Sequence, residues 1–489
     1  MSTSEFFRYA LPAYRTVWRW HFYAGLFTVP FVIILSLSGI VYLFKAEIED
    51  WLDQPYNHLV LTGQPASLSE QVQAALASKP ESRFVSYELP VLPHHASRIV
   101  VSDAGKNWRI YVHPQTLAIL HAVPEQDRLM RQIFRLHGEL MLGEDGSHLV
   151  ELAASWTIIM ILTGLYLWWP RHLRGFGGIL YPRFTSGRQR FLRDLHGVTG
   201  FWISAFALIL LVSGLPWSHF WGDYFREIRK LTGTSVAQQD WSNRSENPQT
   251  RPVTSGAKQA SPTVPTTADG EHAGHASRES SSNAGESPTK SDRSNRRRNA
   301  APVSPETLAQ LPLVVQVVEP LQLPHPVILT PPASERQPWT VKSMTANRPW
   351  RETLKIDAMQ GSILSRETFS DRHWIDRVVS IGIALHEGRL FGWPNQLLGL
   401  LTALGLILLS CTGPLMWWRR RAPSTLGAPA ESKIAMRHEV LFALPFMLFV
   451  ILLGILLPMF GVSLLAVLLI ERVILRRIPP LRNWLGLAS

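Results

Sequence analysis

From Trp18 to Phe44 the chain runs through 27 residues with one charged side chain, Arg19. About 20 consecutive apolar residues are what a helix needs to cross the hydrocarbon of a bilayer. Stretches of that kind recur at His148–Trp169, His196–Trp217 and Gln396–Trp418, and from about Val440 to Leu475. The last is long enough for a hairpin of two short spans turning near Pro458–Gly461, or for one tilted span. Inside lipid the backbone must satisfy its own hydrogen bonds, so these stretches are expected to be helices. The sequence thus describes a mainly α-helical, polytopic membrane protein. Its mean hydropathy is only +0.05 because polar segments lie between the spans.

Charge placement sets the expected topology. The net charge of +11 does not point to nucleic acid, because the arginine clusters flank apolar spans or lie in a low-complexity stretch. Six arginines fall between Arg171 and Arg193, Arg419–Arg421 follow the fourth span, and Arg476–Arg477 follow the last. The excess of Lys and Arg on cytoplasmic loops puts these segments, and the N-terminus, inside. The first span reads as retained rather than cleaved, since its apolar run is long and no small-residue cleavage site follows.

The expected organisation is then a cytoplasmic N-terminus and first span (1–45), an external module (46–147), two spans joined by a basic loop (148–217), a second external module (218–395), a fourth span (396–421), and a C-terminal membrane hairpin and tail (422–489). The modules read as small α+β units. Ser67–Ser78 has the pattern of a short helix, and Trp108–Leu120 and Leu354–Leu364 of strand–turn–strand units. About 236–305 is rich in Ser, Pro, Asn, Thr and charge with almost no large apolar residues, so it is expected to be disordered.

The chain reads as a duplication. Aligning His137 with His386 matches Asp127–Arg128 to Asp376–Arg377, Leu136 to Leu385, and Gly143 to Gly392 without a gap. The match continues through Thr163–Gly164 and Thr412–Gly413 to Trp168–Trp169-x-Arg171 and Trp417–Trp418-x-Arg420. The preceding spans match too: His21, Gly25 and Ser38–Gly39 correspond to His196, Gly200 and Ser213–Gly214. A unit of helix, external module and helix is written twice. Each copy begins and ends inside, so the copies are parallel repeats about an axis along the membrane normal.

Each copy has one histidine at the inner start of its first helix (His21, His196) and one just before its second helix, outside (His137, His386). Twofold symmetry makes equivalent residues face each other. From His21 to Phe44 is roughly 35 Å of helix, so an inner and an outer histidine cannot share one metal. Two facing imidazoles across a flat gap are what a six-coordinate haem requires. With Cys411 the sole cysteine, disulfides within the chain, Cys-pair zinc sites, iron–sulfur clusters and thioether-linked haem are excluded. The expected cofactors are two b-type haems with bis-histidine ligation. Gly25 and Gly200, four residues after the inner histidines on the same helix face, would leave room for a porphyrin. Arg15, Arg19 and Arg193 inside, and Arg131, Arg135 and Arg389 outside, are candidate partners for its propionates. Outside, Leu129, Ile133, Leu136 and His137 share one helical stripe, and Val378, Val379, Gly382 and His386 another. Both read as short amphipathic helices.

These features resemble the PepSY-associated transmembrane family, with its His-x-x-x-Gly opening helix (His21–Gly25, His196–Gly200) and Leu-His … Thr-Gly … Trp-Trp-x-Arg closing unit (Leu136–Arg171, Leu385–Arg420). The resemblance covers roughly residues 8–225 and 305–421. It implies that the external modules are PepSY-like. Within the family the chain looks like the FoxB-type ferric-siderophore reductases of Gram-negative inner membranes. That implies a bacterial inner-membrane location and electrons passed from a cytoplasmic or quinol donor to a ferric siderophore or other ferric chelate in the periplasm. Trp217, Trp221 and Trp374 are candidates to line the dock. Two alternatives are a non-redox PepSY protein regulating a peptidase or envelope partner, with structural histidines, and a siderophore or iron transporter. The second is disfavoured by uninterrupted spans and by few carboxylates at membrane depth.

Overall fold

The computed structural model describes residues 14–170, 175–234, 304–334, 337–422, 425–428 and 443–487. Nearly all of the low-complexity stretch, and Arg171 of the basic loop, lie outside these residues. In chain order, α1 (Tyr14–Leu43), α2 (Lys45–Leu52) and α3 (Leu68–Ala77) precede four strands, β1 (Arg83–Leu89), β2 (Ser97–Asp103), β3 (Lys106–Val112) and β4 (Ile119–Pro124). Next come α4 (Leu129–Glu139), α5 (Glu144–Trp168), α6 (Arg188–Gly214), α7 (His219–Leu231) and α8 (Leu311–Val318). Then follow β5 (Val327–Thr330), β6 (Trp339–Ser343), β7 (Thr353–Asp357), β8 (Ser362–Glu367), α9 (Trp374–His386) and α10 (Trp393–Arg420). The last are α11 (Ala443–Leu456), α12 (Pro458–Ile470) and α13 (Pro479–Leu485).

Among the described residues five helices are long and apolar enough to cross a membrane: α1, α5, α6, α10 and α12 with its extension to Leu475. The first four form a ring in which α1 and α6 each pack on α5 and α10 and so face each other across the bundle. The pattern is that of a protein in lipid. Ala24, Thr28, Val32 and Ser36, four residues apart on α1, are buried, while Leu26, Ile34 and Leu37 point outward. Small side chains let helices approach where no hydrophobic effect drives them together.

The C-terminal stretch is a hairpin. The helix breaks at Leu457 (φ −125°, ψ 77°). Gly461 fits there because a Cβ would lie 2.9 Å from the Gly454 carbonyl oxygen. The tip touches α7, where the Trp221 indole donates to the Leu456 carbonyl (2.9 Å) and the Tyr224 hydroxyl to that of Ile455 (3.2 Å). The ends return to the start of α1, where Phe446 stacks on Trp20 and Arg19 and Tyr23 donate to the carbonyls of Gly486 and Leu485.

The eight strands form one antiparallel sheet in the order β4-β3-β2-β1-β5-β6-β7-β8, not two separate units. The seam is β1 against β5, with Tyr87 opposite Leu329 and Leu89 opposite Val327. One core serves both halves: Val72 and Ala75 from α3 and Leu311, Val314 and Val318 from α8 pack with Tyr87, Ile99, Ile110, Leu329, Val341 and Ile356. A capping box between Ser67 and Glu70 starts α3. Off this core, Glu88 bridges Arg98 (3.1 Å) and Arg109 (2.6 Å). Burial alone would raise the Glu88 carboxyl, but the two guanidiniums outweigh it and hold it below the usual range. The β7–β8 turn uses Gly361 at φ +63°. The β3–β4 turn has no glycine and puts Leu117 at φ +60° instead. There the His113 ring accepts from the Gln115 and Thr116 amides, bonds that help hold the strained turn.

Candidate functional site

The bundle brings the four predicted histidines together as two pairs. His21 of α1 and His196 of α6 meet with ring centres 6.4 Å apart and planes at 88°. His137, ending α4, and His386, ending α9, meet at 6.1 Å and 80°. Along α1, His21 and the Ser38 that touches His137 are separated by about 25 Å of helix, so the pairs lie near opposite ends of the bundle. Each histidine leans on a neighbouring helix. His21 Nδ1 lies 3.1 Å from Thr163 Oγ1 and 3.0 Å from the Met160 carbonyl of α5. His196 Nδ1 lies 2.9 Å from Thr412 Oγ1 of α10. His137 Nδ1 lies 3.1 Å from Ser38 Oγ of α1. His386 Nδ1 lies 3.1 Å from Ser213 Oγ and 2.8 Å from the Leu210 carbonyl of α6.

In every case the hydroxyl is followed by a glycine lying against the same ring. A Cβ on Gly164 would sit 3.1 Å from His21 Cε1, on Gly39 3.2 Å from His137 Cε1, on Gly214 3.5 Å from His386 Cε1 and on Gly413 3.6 Å from His196 Cε1. The hydroxyl holds the ring and the glycine gives it space. In the sequence these four dipeptides stood out only as repeat markers. The available signal for a shared role was their matched spacing from the histidines, His21 to Ser38 as His196 to Ser213 and His137 to Thr163 as His386 to Thr412.

With Nδ1 engaged, Nε2 is the nitrogen left to ligate. Imidazole binds first-row metals at about 2 Å. Two such bonds in line, with the ring radii added, give centre separations of roughly 6 Å, and both pairs match. Two protein ligands leave the other coordination positions of a metal to a macrocycle. The rings of His137 and His386 are both biased toward the neutral form that a ligand needs. Burial, and then His386, lower His137 to about 4, and burial lowers His386.

The other predicted residues are placed differently. A Cβ on Gly25 would face Met160 Sδ at 3.7 Å, and one on Gly200 would face Leu409 at 3.8 Å, both ordinary contacts with the next helix. The arginines have protein partners. Arg19 donates to Gly486 O, Arg193 reaches Asp194 (3.1 Å), Arg135 lies 3.7 Å from Glu139, and Arg131 lies over Phe134. Arg389 donates to both oxygens of Glu47 (3.1 and 2.8 Å). Sequence reasoning missed Arg348, buried above the Trp217 ring and 3.8 Å from Glu387, next to His386. Trp221 stacks on Phe225 and is bound to the hairpin tip, while Trp374 is 62% exposed.

A ring of membrane helices closing on paired imidazoles, with an antiparallel sheet at one end, defines a class of polytopic membrane protein. The family described as "PepSY-associated TM region" matches residues 18–420. The chain belongs to that family. No curated protein matches it.

Proposed function

We propose that this protein is a di-haem b oxidoreductase of a bacterial inner membrane that reduces a ferric chelate, such as a ferric siderophore, on the sheet side. The observation that carries this reading is the imidazole geometry: two pairs, 6.4 and 6.1 Å between ring centres, near opposite ends of one bundle. His21 and His196 would hold one haem, and His137 and His386 the other. Bound there, haem would supply reversible one-electron redox chemistry. The repeat supports the reading, since two parallel copies place one ligand each in either pair, as does the symmetric strand order of the sheet. The arginine-rich loops favour a cytoplasmic side for the His21–His196 pair, where a soluble or quinol donor would deliver electrons. The acceptor is Fe(III) in a chelate at the PepSY-like sheet; Fe(II) binds hard oxygen donors more weakly, so one-electron reduction releases the iron.

The test is an absorption spectrum of the purified, haem-supplied protein, oxidised and dithionite-reduced, with a haem-to-protein ratio. Two haems per chain are expected. His137→Ala should remove one, abolish chelate reduction on the sheet side and preserve the other's spectrum. A wild-type chain without a Soret band, or loss of both haems together in His137→Ala, would overturn the proposal.

A further inference from the structure

We infer that the four hydroxyls of Ser38, Thr163, Ser213 and Thr412 are positioning residues that fix the tautomer and the electron-donating strength of the paired imidazoles, and that His196 depends on its hydroxyl more than its partner His21 does. The inference rests on the di-haem reading and asks what tunes such a site.

A hydroxyl has one proton to give. Ser38 Oγ donates it to the Ile34 carbonyl (2.8 Å), Thr163 Oγ1 to that of Ile159 (2.8 Å), and Thr412 Oγ1 to that of Leu408 (2.8 Å). Ser213 Oγ donates to the Leu210 carbonyl (3.1 Å). Each proton is held inside its own helix, so each hydroxyl can only accept from the histidine. Nδ1 therefore carries the hydrogen in all four rings, and Nε2 keeps its lone pair for a metal. An acceptor on that N–H also makes the ring a stronger donor to the metal. A stronger donor favours Fe(III) over Fe(II), so removing the acceptor should raise the potential.

The four sites are not equivalent. His21 has the Met160 carbonyl as a second acceptor and His386 has Leu210. His196 Nδ1 is described with Thr412 alone. Without that oxygen its partly buried N–H loses the one acceptor described for it, and an unpaired donor is costly. The paired threonine, Thr163, provides the internal control.

The experiment is a potentiometric titration of the full-length purified protein with a haem-to-protein ratio, for wild type, Thr412→Val, Thr412→Ser and Thr163→Val. The His137→Ala variant assigns which midpoint belongs to the His21–His196 pair. In Thr412→Val that midpoint should rise, with the Fe(II):Fe(III) equilibrium shifted on the order of tenfold, or that haem should be lost. Thr412→Ser should restore wild-type behaviour. Thr163→Val should shift the same midpoint less, and the His137–His386 midpoint should not move in any of them. Unmoved midpoints with both haems retained in Thr412→Val would overturn the inference. So would an equal shift in Thr163→Val, or a defect that Thr412→Ser does not repair. A wild-type chain without haem is a separate result that removes the di-haem reading itself.

Discussion

The glycines beside the histidines are close to a steric limit, and the two halves differ in how close. At Gly164 and Gly39 a methyl group would press on the ring at 3.1 and 3.2 Å, whereas at Gly214 and Gly413 the distances of 3.5 and 3.6 Å are ordinary contacts. Gly164→Ala should therefore weaken haem retention by the His21–His196 pair by about 1–3 kcal/mol, while Gly413→Ala, on the same pair, should be nearly silent. Haem content of the two variants checks this, and equal losses would contradict it. At this scale the sequence was legible for the histidines, because their matched positions needed only the repeat. It was less so for the arginines. Charge says that a guanidinium needs an anion but not which one, and Arg389 found Glu47, far away in the sequence.

Between elements, one buried polar tie joins Arg229 of α7 to Asp376 of α9. The pair is bidentate at 2.6 and 2.9 Å, and both side chains are buried. It anchors the first turn of the helix that ends in His386. Asp376→Ala would strand a buried guanidinium and should destabilise the protein by about 3–5 kcal/mol. Replacing both residues with apolar ones should recover much of that loss. Thermal unfolding of the single and double variants measures the difference. The spans, α3, the amphipathic helices and both strand–turn–strand units were readable because each has its own period or turn chemistry. The Arg229–Asp376 tie was not, since nothing local to either residue marks its partner.

At the scale of the whole molecule the halves are joined at several points on the sheet side. One join is the β1–β5 seam. Another is Glu47 of α2, which accepts from Arg389 and from Gln396 of α10. The hydrogen bonds from Arg389 are the main cause that lowers the Glu47 carboxyl to about 2, against a smaller opposing effect of burial. A carboxyl lowered on folding stabilises the native state above its unfolded value of about 4.5 and loses that contribution as pH falls toward 2. Glu47 is half exposed, so the contribution should be below about 1 kcal/mol. The gap in unfolding midpoint between wild type and Glu47→Gln should be present at pH 7, shrink below about pH 4.5 and close only toward about pH 2. The sequence separated the modules because two membrane spans, a basic loop and the long insert lie between their strands. Fusion of their sheets was hidden, because an unpaired edge strand reads the same whichever neighbour completes it.

That fusion bears on how the protein can move. Carriers that work by alternating access rock one repeat against the other about a central site, and so need a hinge at the boundary. Here the boundary is a hydrogen-bonded ladder with a shared core behind it. Tilting the halves apart on that side would break both. Such a molecule is suited to work without rocking its halves apart on that side.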